Sequence, residues 1–151
     1  MSSEWTWSIV KKIPSDTEEA RVLLNDLLAR IETNGWPEED KFGIHLSVEE
    51  ALMNAIKHGN QRDPEKFVHV EFYLSDDLLR VSVLDEGDGF NPNDVPDPTL
   101  DENLELPSGR GLMLMRTFMS FVEYNAKGNG VRMEKKRSVP EAAPPEESPP
   151  E

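Results

Sequence analysis

Two alternating apolar runs near the middle of the chain constrain its fold most strongly. They are F-V-H-V-E-F-Y-L (residues 67–74) and L-L-R-V-S-V-L-D (78–85), and only Ser75, Asp76 and Asp77 separate them. Alternation at a period of two predicts strands in which every second side chain enters a core. Because the connection is so short, the two runs are expected to form a hairpin.

One strand and two helices are predicted before this hairpin. Residues 5–13, W-T-W-S-I-V-K-K-I, favour a strand. S-D-T-E at 15–18 has the spacing of a capping box and predicts the start of a first helix, which Gly35 ends. The second helix begins at Pro37, whose fixed φ suits a first turn, and runs to about His58. The first helix carries apolar residues at helical intervals, namely Ala20, Val22, Leu23, Leu24, Leu27, Leu28 and Ile31.

A third helix and two more strands are predicted after the hairpin. G-R-G (109–111) begins the helix, and strands near 121–126 and 131–136 flank G-N-G (128–130), where Asn-Gly is a strong hairpin signal. Residues 91 to about 107 form an irregular segment, and loops of this length are usually functional or mobile. This order of elements is not the βαβ alternation of a doubly wound sheet. It predicts an α+β two-layer sandwich, in which helices cover one face of a mainly antiparallel, mixed sheet.

Composition and charge limit the classes of function. With 151 residues the chain is expected to form one domain. It contains no cysteine, which excludes disulfides and thiolate metal sites. The net charge of −14 argues against nucleic acid and anionic membranes as partners, because binding to phosphate groups depends on clustered Lys and Arg. The acidity is compatible with a basic protein partner, or with a role in solubility alone.

The two ends of the chain carry separate predictions. Residues 138–151, S-V-P-E-A-A-P-P-E-E-S-P-P-E, hold almost nothing to bury and predict a disordered acidic tail, which leaves residues 1–137 as the folded domain. The start, M-S-S-E-W-T-W, lacks the basic and apolar regions of a signal peptide, and no apolar run approaches a membrane span. A cytoplasmic location is therefore expected.

A polar ridge along the second helix is the first candidate site. On a wheel of about 100° per residue, Glu50, Asn54 and His58 share one border of the buried face, and G-N (59–60) ends the helix. Such a row is most often a solvated helix face. Alternatively, a carboxylate and an amide one turn apart provide a general base and an oxygen ligand for Mg²⁺, which phosphates and water complete. The buried arc is predicted to hold Ile44, His45, Val48, Ala51, Leu52, Ala55 and Ile56.

The start of the third helix is a candidate phosphate site. Gly109 and Gly111 leave its first N–H groups unobstructed, and the helix dipole favours an anion there. Arg110 adds a charged hydrogen-bond donor. Because Gly-x-Gly also occurs in ordinary helix starts, this motif is weak evidence by itself.

The segment after the second central strand is a candidate base-binding site. D-E-G-D-G-F (85–90) is either an acidic turn or the edge of a nucleotide pocket. In the second case a buried Asp85 accepts a hydrogen bond from an exocyclic amine, while Gly87 and Gly89 let a flat base approach closely. The polar ridge and the two glycine segments are each weak evidence, but their combination indicates a nucleotide site.

Three segments together resemble a known family. E-A-L-M-N-A-I-K-H-G (50–59), D-E-G-D-G-F (85–90) and S-G-R-G-L-M-L-M (108–115) look like the three ATP-site boxes of the GHKL, or histidine-kinase-like, ATPase superfamily. Within it the chain is most similar to the anti-sigma factor serine kinases of bacterial partner-switching systems. The resemblance covers about residues 8–137. It implies a Bergerat-type sandwich that binds ATP and Mg²⁺ between the helical layer and a mobile lid.

The resemblance also implies roles for individual residues. Glu50 would be the general base, Asn54 the Mg²⁺ ligand and Asp85 the partner of the adenine amino group, with residues 91–108 as the lid. The other positions that it assigns to the nucleotide site are His58, Gly87, Gly89, Phe90, Gly109, Arg110, Gly111 and Leu112, and Arg110 also belongs to the implied catalytic set.

One segment departs from the pattern of the family. Gly-Thr-Thr usually precedes the last strand there, whereas this chain has G-N-G at 128–130. A Thr hydroxyl that would support the adenine contact is missing, and this is expected to weaken nucleotide affinity.

The implied function is a protein serine/threonine kinase. It would phosphorylate an anti-anti-sigma-like protein and sequester a sigma factor or another regulator. The alternative is a binding module in which ATP or ADP only shapes a partner surface, although such a site needs no base at Glu50. A sensor histidine kinase needs a phosphoacceptor on a dimerisation helix, which His45, His58 and His69 do not fit, and DNA-repair or topoisomerase ATPases need much longer chains. Many relatives are homodimers, and no motif here decides the oligomeric state.

Overall fold

The predicted hairpin lies in the middle of the sheet. In this computed structural model, which describes residues 5–87 and 109–139, β2 (Phe67–Leu74) pairs antiparallel with β3 (Leu78–Leu84). Ser75 stabilises the connection, because its Oγ accepts a hydrogen bond from the Leu78 N–H at 3.0 Å. Alternate residues of both strands are buried, as the period-two pattern predicts.

Three further strands complete the sheet that the described residues form. They are β1 (Trp7–Pro14), β4 (Phe121–Tyr124) and β5 (Gly130–Lys136). The strand order is β1-β2-β3-β5-β4, and each of these pairings is antiparallel. The parallel pair that a mixed sheet would contain is therefore not among the described strands, and the α+β class is confirmed.

Three α-helices pack with this sheet. They are α1 (Thr17–Thr33), α2 (Glu38–Asn54) and α3 (Gly109–Phe118), and the first two residues of α3 are described as helical backbone only. The core lies between helices and sheet, and its largest fully buried side chains come from both layers. They include Phe72, Leu27, Ile31, Ile44, Leu52, Leu74, Leu79, Met115 and Met133.

The start of α1 differs from the predicted capping box. Asp16, not Ser15, is the N-cap, and its side chain accepts a hydrogen bond from the Glu18 N–H at 2.8 Å. Ser15 instead donates its hydroxyl to the carbonyl of Lys66, which lies 51 positions later in the chain. The predicted end is confirmed, because Gly35 follows the helix with a φ of 75°.

Two residues that belong to the apolar patterns of the first two helices lie at the surface. Val22 is 61% exposed, since it lies beside the buried stripe of α1 and not within it. His45 lies at the edge of the predicted buried arc of α2, and its half-exposed ring is 3.5 Å from the carboxylate of Glu49, one turn later. The prediction of a core histidine is therefore wrong. The apolar residues predicted for that arc are all buried, namely Ile44, Val48, Ala51, Leu52, Ala55 and Ile56.

The end of α2 changes its helical period. Ala55–Gly59 is a π-helical segment, and the Asn60 N–H bonds to the Ala55 carbonyl five residues earlier. The chain then reverses through Gln61 and Arg62, which have φ values of 52° and 58°. The predicted end near His58 is confirmed, but a wheel with a constant period no longer describes the last turn.

The β4–β5 connection does not use Asn-Gly as its turn. Asn125 closes the turn, because its carbonyl accepts the Gly128 N–H at 3.0 Å and its side chain also accepts the N–H groups of Gly128 and Asn129. Gly128 has the left-handed φ of 81°, whereas Gly130 already belongs to β5. Asn129 is therefore available for contacts outside the turn.

Arg137 joins three parts of the chain just after β5. Its guanidinium donates to the carbonyls of Asn34 (3.2 Å), Gly35 (2.6 Å) and Asp76 (3.0 Å). The next residue, Ser138, donates its N–H and hydroxyl to the buried carboxylate of Asp40, so folded contacts reach this position. The rest of the predicted tail, from residue 140, lies outside the described residues.

We expect Arg137→Ala to lower the free energy of unfolding by about 2 kcal/mol, because three carbonyls lose a charged donor. Urea denaturation followed by circular dichroism measures the change. Arg132→Ala, on β5 itself, is the control, since that side chain is half-exposed and lies 3.6 Å from Glu123. Equal losses in the two variants would contradict a special role of Arg137.

Candidate functional site

The carboxylate of Glu50, on helix α2, contacts the first turn of α3. Glu50 and Asn54 are half-buried on α2 and lie one turn apart. Gly111, in the first turn of α3, lies so close that a Cβ there would overlap the Glu50 carboxylate, with its Cδ only 2.7 Å away. Two segments that are 61 positions apart in the sequence thus lie in contact at one end of the candidate site.

The first turn of α3 has the properties of an anion site. The first N–H groups of a helix have no partner within the helix, and the dipole is positive there. Gly111 places no side chain between this turn and Glu50. Leu112 follows it and is buried. A carboxylate and a helix N-terminus in contact can handle a proton and a phosphate group at the same place.

The end of β3 contains the second part of the site. Asp85 is only 8% exposed, and its Oδ1 accepts the Gly87 N–H at 2.8 Å. Gly59, at the end of the π-helical segment, touches this carboxylate, since a Cβ on Gly59 would lie 2.7 Å from Asp85 Oδ1. A Cβ on Gly87 would in turn overlap the Gly59 carbonyl. This close packing therefore requires glycine at positions 59 and 87.

Burial raises the pKa of Asp85 above its ordinary value of 3.8. The hydrogen bond from Gly87 and the charges of Lys127 and Lys66 act in the opposite direction, but burial is the larger effect. A buried carboxylate with this kind of shift in a recessed position is typical of a functional site.

Tyr124, which belongs to none of the predicted motifs, interacts electrostatically with both parts of the site. Burial raises its pKa to about 12, and the negative charges of Glu50 and Asp85 add to the increase. Tyr124 lies on β4, opposite Val131 on β5. A tyrosine in an alternating strand carries no sequence signal that distinguishes a residue at a functional site from one that only packs in the core.

Two asparagines outside the predicted set also contact the segment that follows β3. The Asn129 side chain donates to the Asp85 carbonyl at 2.9 Å. The side chain of Asn60, which is fully buried, accepts the Glu86 N–H at 2.8 Å. The sequence signals at these positions, an Asn-Gly hairpin at Asn129 and a helix end at Asn60, predict turns and not these contacts.

The remaining predicted residues divide into two groups. His58 is half-buried in the π-helical segment, next to Gly59. Gly89, Phe90 and the predicted lid at 91–108 lie outside the described residues, and so does the side chain of Arg110. Helix α3 begins at Gly109, as predicted.

A metal at this site would depend on the nucleotide. Within residues 5–87 and 109–139, no three His, Asp or Glu side chains are grouped so that they could hold an ion. Asn54 offers an amide oxygen beside Glu50, and phosphates supply the other ligands in many magnesium sites. The available donors therefore fit Mg²⁺ that arrives with a phosphate compound.

The sequence pattern of the histidine kinase-like ATPase domain matches residues 13–135, which include every described element except the first part of β1 and the last residue of β5. The chain belongs to the histidine kinase-like ATPase family. This membership confirms the resemblance and identifies ATP as the nucleotide that the family uses.

Two similar proteins are named as anti-sigma factors or kinases. The anti-sigma F factor of Clostridium perfringens (strain SM101) is 32% identical over 123 residues, which cover 80% of this chain and 86% of that protein. The serine-protein kinase RsbW of Bacillus subtilis (strain 168) is 30% identical over 136 residues, or 84% of each chain. These relatives support the predicted partner-switching kinase function of this ATPase-family chain.

A solved structure supports the fold. The crystal structure of the RsbU and RsbW domains of Rv1364c from Mycobacterium tuberculosis matches with a TM-score of 0.59 at 19% identity, and the match covers 87% of this chain and 32% of that one. No helix within the described ranges has both the length and the apolar character of a membrane span.

Asp85→Asn is expected to be at least as stable as the wild type at about pH 7, because burial penalises the charged carboxylate and an amide still accepts the Gly87 N–H. The raised pKa sets the sign. The contribution of Asp85 to the free energy of unfolding is fully present below its ordinary pKa of 3.8. This contribution is lost as the pH rises through the higher pKa of the folded state.

Urea denaturation at about pH 7 and about pH 4 measures this difference. The advantage of the variant should shrink at the lower pH, and exposed Asp26→Asn on α1 serves as the control. An advantage that grows on acidification would contradict the assigned sign.

Proposed function

We propose that this chain is an ATP-dependent serine/threonine kinase of a bacterial partner-switching system. Its substrate is a small anti-anti-sigma-like protein, and between phosphorylation events it sequesters a sigma factor or another regulator. The contact between the Glu50 carboxylate and the first turn of α3 carries this proposal. It joins a base to a phosphate-binding helix end, which is the arrangement that phosphoryl transfer needs.

Glu50 is the general base of the proposed reaction. It takes the proton from the partner hydroxyl while that oxygen bonds to the γ-phosphorus of ATP and the bond to ADP breaks. Gly109 and Gly111 offer backbone N–H groups to the phosphates, and Arg110 adds positive charge in the proposed catalytic set. Positioning and charge neutralisation supply most of the rate in reactions of this type.

The remaining site residues bind the nucleotide. Asp85 accepts a hydrogen bond from the adenine amino group, and its burial behind Gly59 and Gly87 supports this role. Asn54 holds Mg²⁺, which neutralises phosphate charge when it is bound. The other proposed contacts come from His58, Gly89, Phe90 and Leu112.

We also propose the domain boundaries, the cellular location and the partners of this protein. The kinase domain spans residues 1–137 and is cytoplasmic, where its regulator partners are found. Residues 138–151 form an acidic tail, whose first residue, Ser138, bonds to Asp40 of the domain. The relatives called anti-sigma F factor and serine-protein kinase support these partners.

We expect Glu50→Gln to lower phosphoryl transfer by about 100-fold or more, because the amide cannot accept the hydroxyl proton. Nucleotide affinity should change little, since the variant keeps the size of the side chain. The assay incubates the protein with candidate anti-anti-sigma-like domains and γ-labelled ATP, and measures label on partner serine or threonine.

Glu49→Gln is the matched control, because Glu49 is the preceding residue of the same helix and pairs with His45. Transfer by Glu50→Gln at the wild-type rate would contradict the base assignment. If both wild type and control bind ATP tightly but transfer no label to any partner, the protein is instead a binding module for ATP or ADP.

Asp85→Asn should weaken ATP binding about 10- to 100-fold, since an amide donor replaces the acceptor that faces the adenine amine. Isothermal titration calorimetry measures the affinity of wild type and variant. An unchanged affinity would show that Asp85 does not bind adenine.

A further inference from the structure

We propose that Asn129 and Asn60 clamp one peptide unit, the one between Asp85 and Glu86, and thereby set the direction of the Asp85 carboxylate. The inference rests on the proposed function, in which that carboxylate binds adenine. Asn129 and Asn60 act through Asp85, and so they are positioning residues for nucleotide recognition.

Asn129 holds Asp85 through both of its backbone polar groups. The Asn129 carbonyl accepts the Asp85 N–H at 2.8 Å, and the Asn129 side-chain amide donates to the Asp85 carbonyl at 2.9 Å. The regular β3–β5 pairing ends one residue earlier, where Leu84 lies opposite Gly130. The side chain of Asn129 therefore continues the pairing beyond the end of the strands and restrains the backbone of Asp85.

Asn60 holds the other side of the same peptide unit. Its Oδ1 accepts the Glu86 N–H at 2.8 Å. Its Nδ2 donates to the Ser15 hydroxyl and to the Phe67 carbonyl, each at 3.0 Å. Because Asn60 is fully buried and bonded in three directions, it is a rigid reference point for the segment.

The two contacts act on the carboxylate through the chain. With the Asp85 N–H, the Asp85 carbonyl and the Glu86 N–H all bonded, the backbone of Asp85 has little freedom to rotate. The Gly87 N–H then binds Oδ1, and Gly59 closes the space beside the carboxylate. A recognition group held in this way loses little conformational entropy when a ligand binds.

The chemistry requires an amide at position 129. Asn125 donates its Nδ2 to the Asn129 Oδ1 at 2.8 Å, which turns the Asn129 Nδ2 toward Asp85. An aspartate of the same shape would place an acceptor against the Asp85 carbonyl. Although the Gly-Thr-Thr hydroxyl is absent, the amide of Asn129 supports the adenine-binding residue by a different contact.

Asn129→Ala is the first test, with two nucleotides as probes. They are ATP and purine riboside triphosphate, which lacks only the 6-amino group that Asp85 would recognise. We expect ATP affinity to fall about tenfold, the equivalent of about one hydrogen bond, while the affinity for the analogue stays nearly constant. Asn25→Ala, on the exposed side of α1, is the control.

Asn129→Asp is the second variant, because it keeps the size of the side chain and the backbone contact. It should lose the preference for ATP over the analogue as Asn129→Ala does. Asn60 is less suitable for the test, since its removal also affects Ser15 and Phe67.

The double variant Asp85→Asn with Asn129→Ala separates positioning from general destabilisation. If Asn129 acts through Asp85, the double variant should lose no more ATP affinity than Asp85→Asn alone. Additive losses, or equal losses for both nucleotides in Asn129→Ala, would overturn the clamp. If Asp85→Asn itself leaves the preference for ATP unchanged, the proposed adenine role of Asp85 is wrong.

Discussion

The close packing of Gly59, Gly87 and the Asp85 carboxylate is the constraint on which the site depends. It presses the end of the helical segment after α2 against the end of β3, with no room for a side chain on either glycine. This contact buries Asp85 and brings Asn60, the residue after Gly59, within reach of Glu86. The burial of the carboxylate and the support that Asn60 gives to its segment thus depend on one junction between helices and sheet.

This junction has an energetic cost that indicates function. Burial raises the pKa of Asp85, and so the charged carboxylate opposes folding at neutral pH. Gly87, Lys127 and Lys66 stabilise the charged form, but their effect is smaller than that of burial. A residue chosen for stability alone would avoid this environment. At the other end, Gly111 exposes the first turn of α3 to Glu50. At both ends of the candidate site, packing and charge are arranged in a way that stability alone does not require, which is common at functional sites.

Sequence reasoning was accurate where a pattern is local and regular. Alternation located β2 and β3, and the helical period placed Glu50 and Asn54 on the border of the buried face of α2. It was inaccurate where another segment competes for a polar group or the period changes. The Lys66 carbonyl takes the hydroxyl of Ser15, and the π-helical segment shifts His58 from its position on a constant wheel.

The sequence by itself determined the α+β class, the helices that carry Glu50 and Gly111, the strand that ends before Asp85, and the family. Hydrophobic periodicity and short motifs suffice for this because they are properties of neighbouring residues. Only the tertiary structure decided which of these residues touch. The Asp85–Asn129 and Glu86–Asn60 hydrogen bonds span 44 and 26 positions, and no local pattern encodes them. Long-range contacts depend on how layers pack, and packing is settled by the whole chain at once.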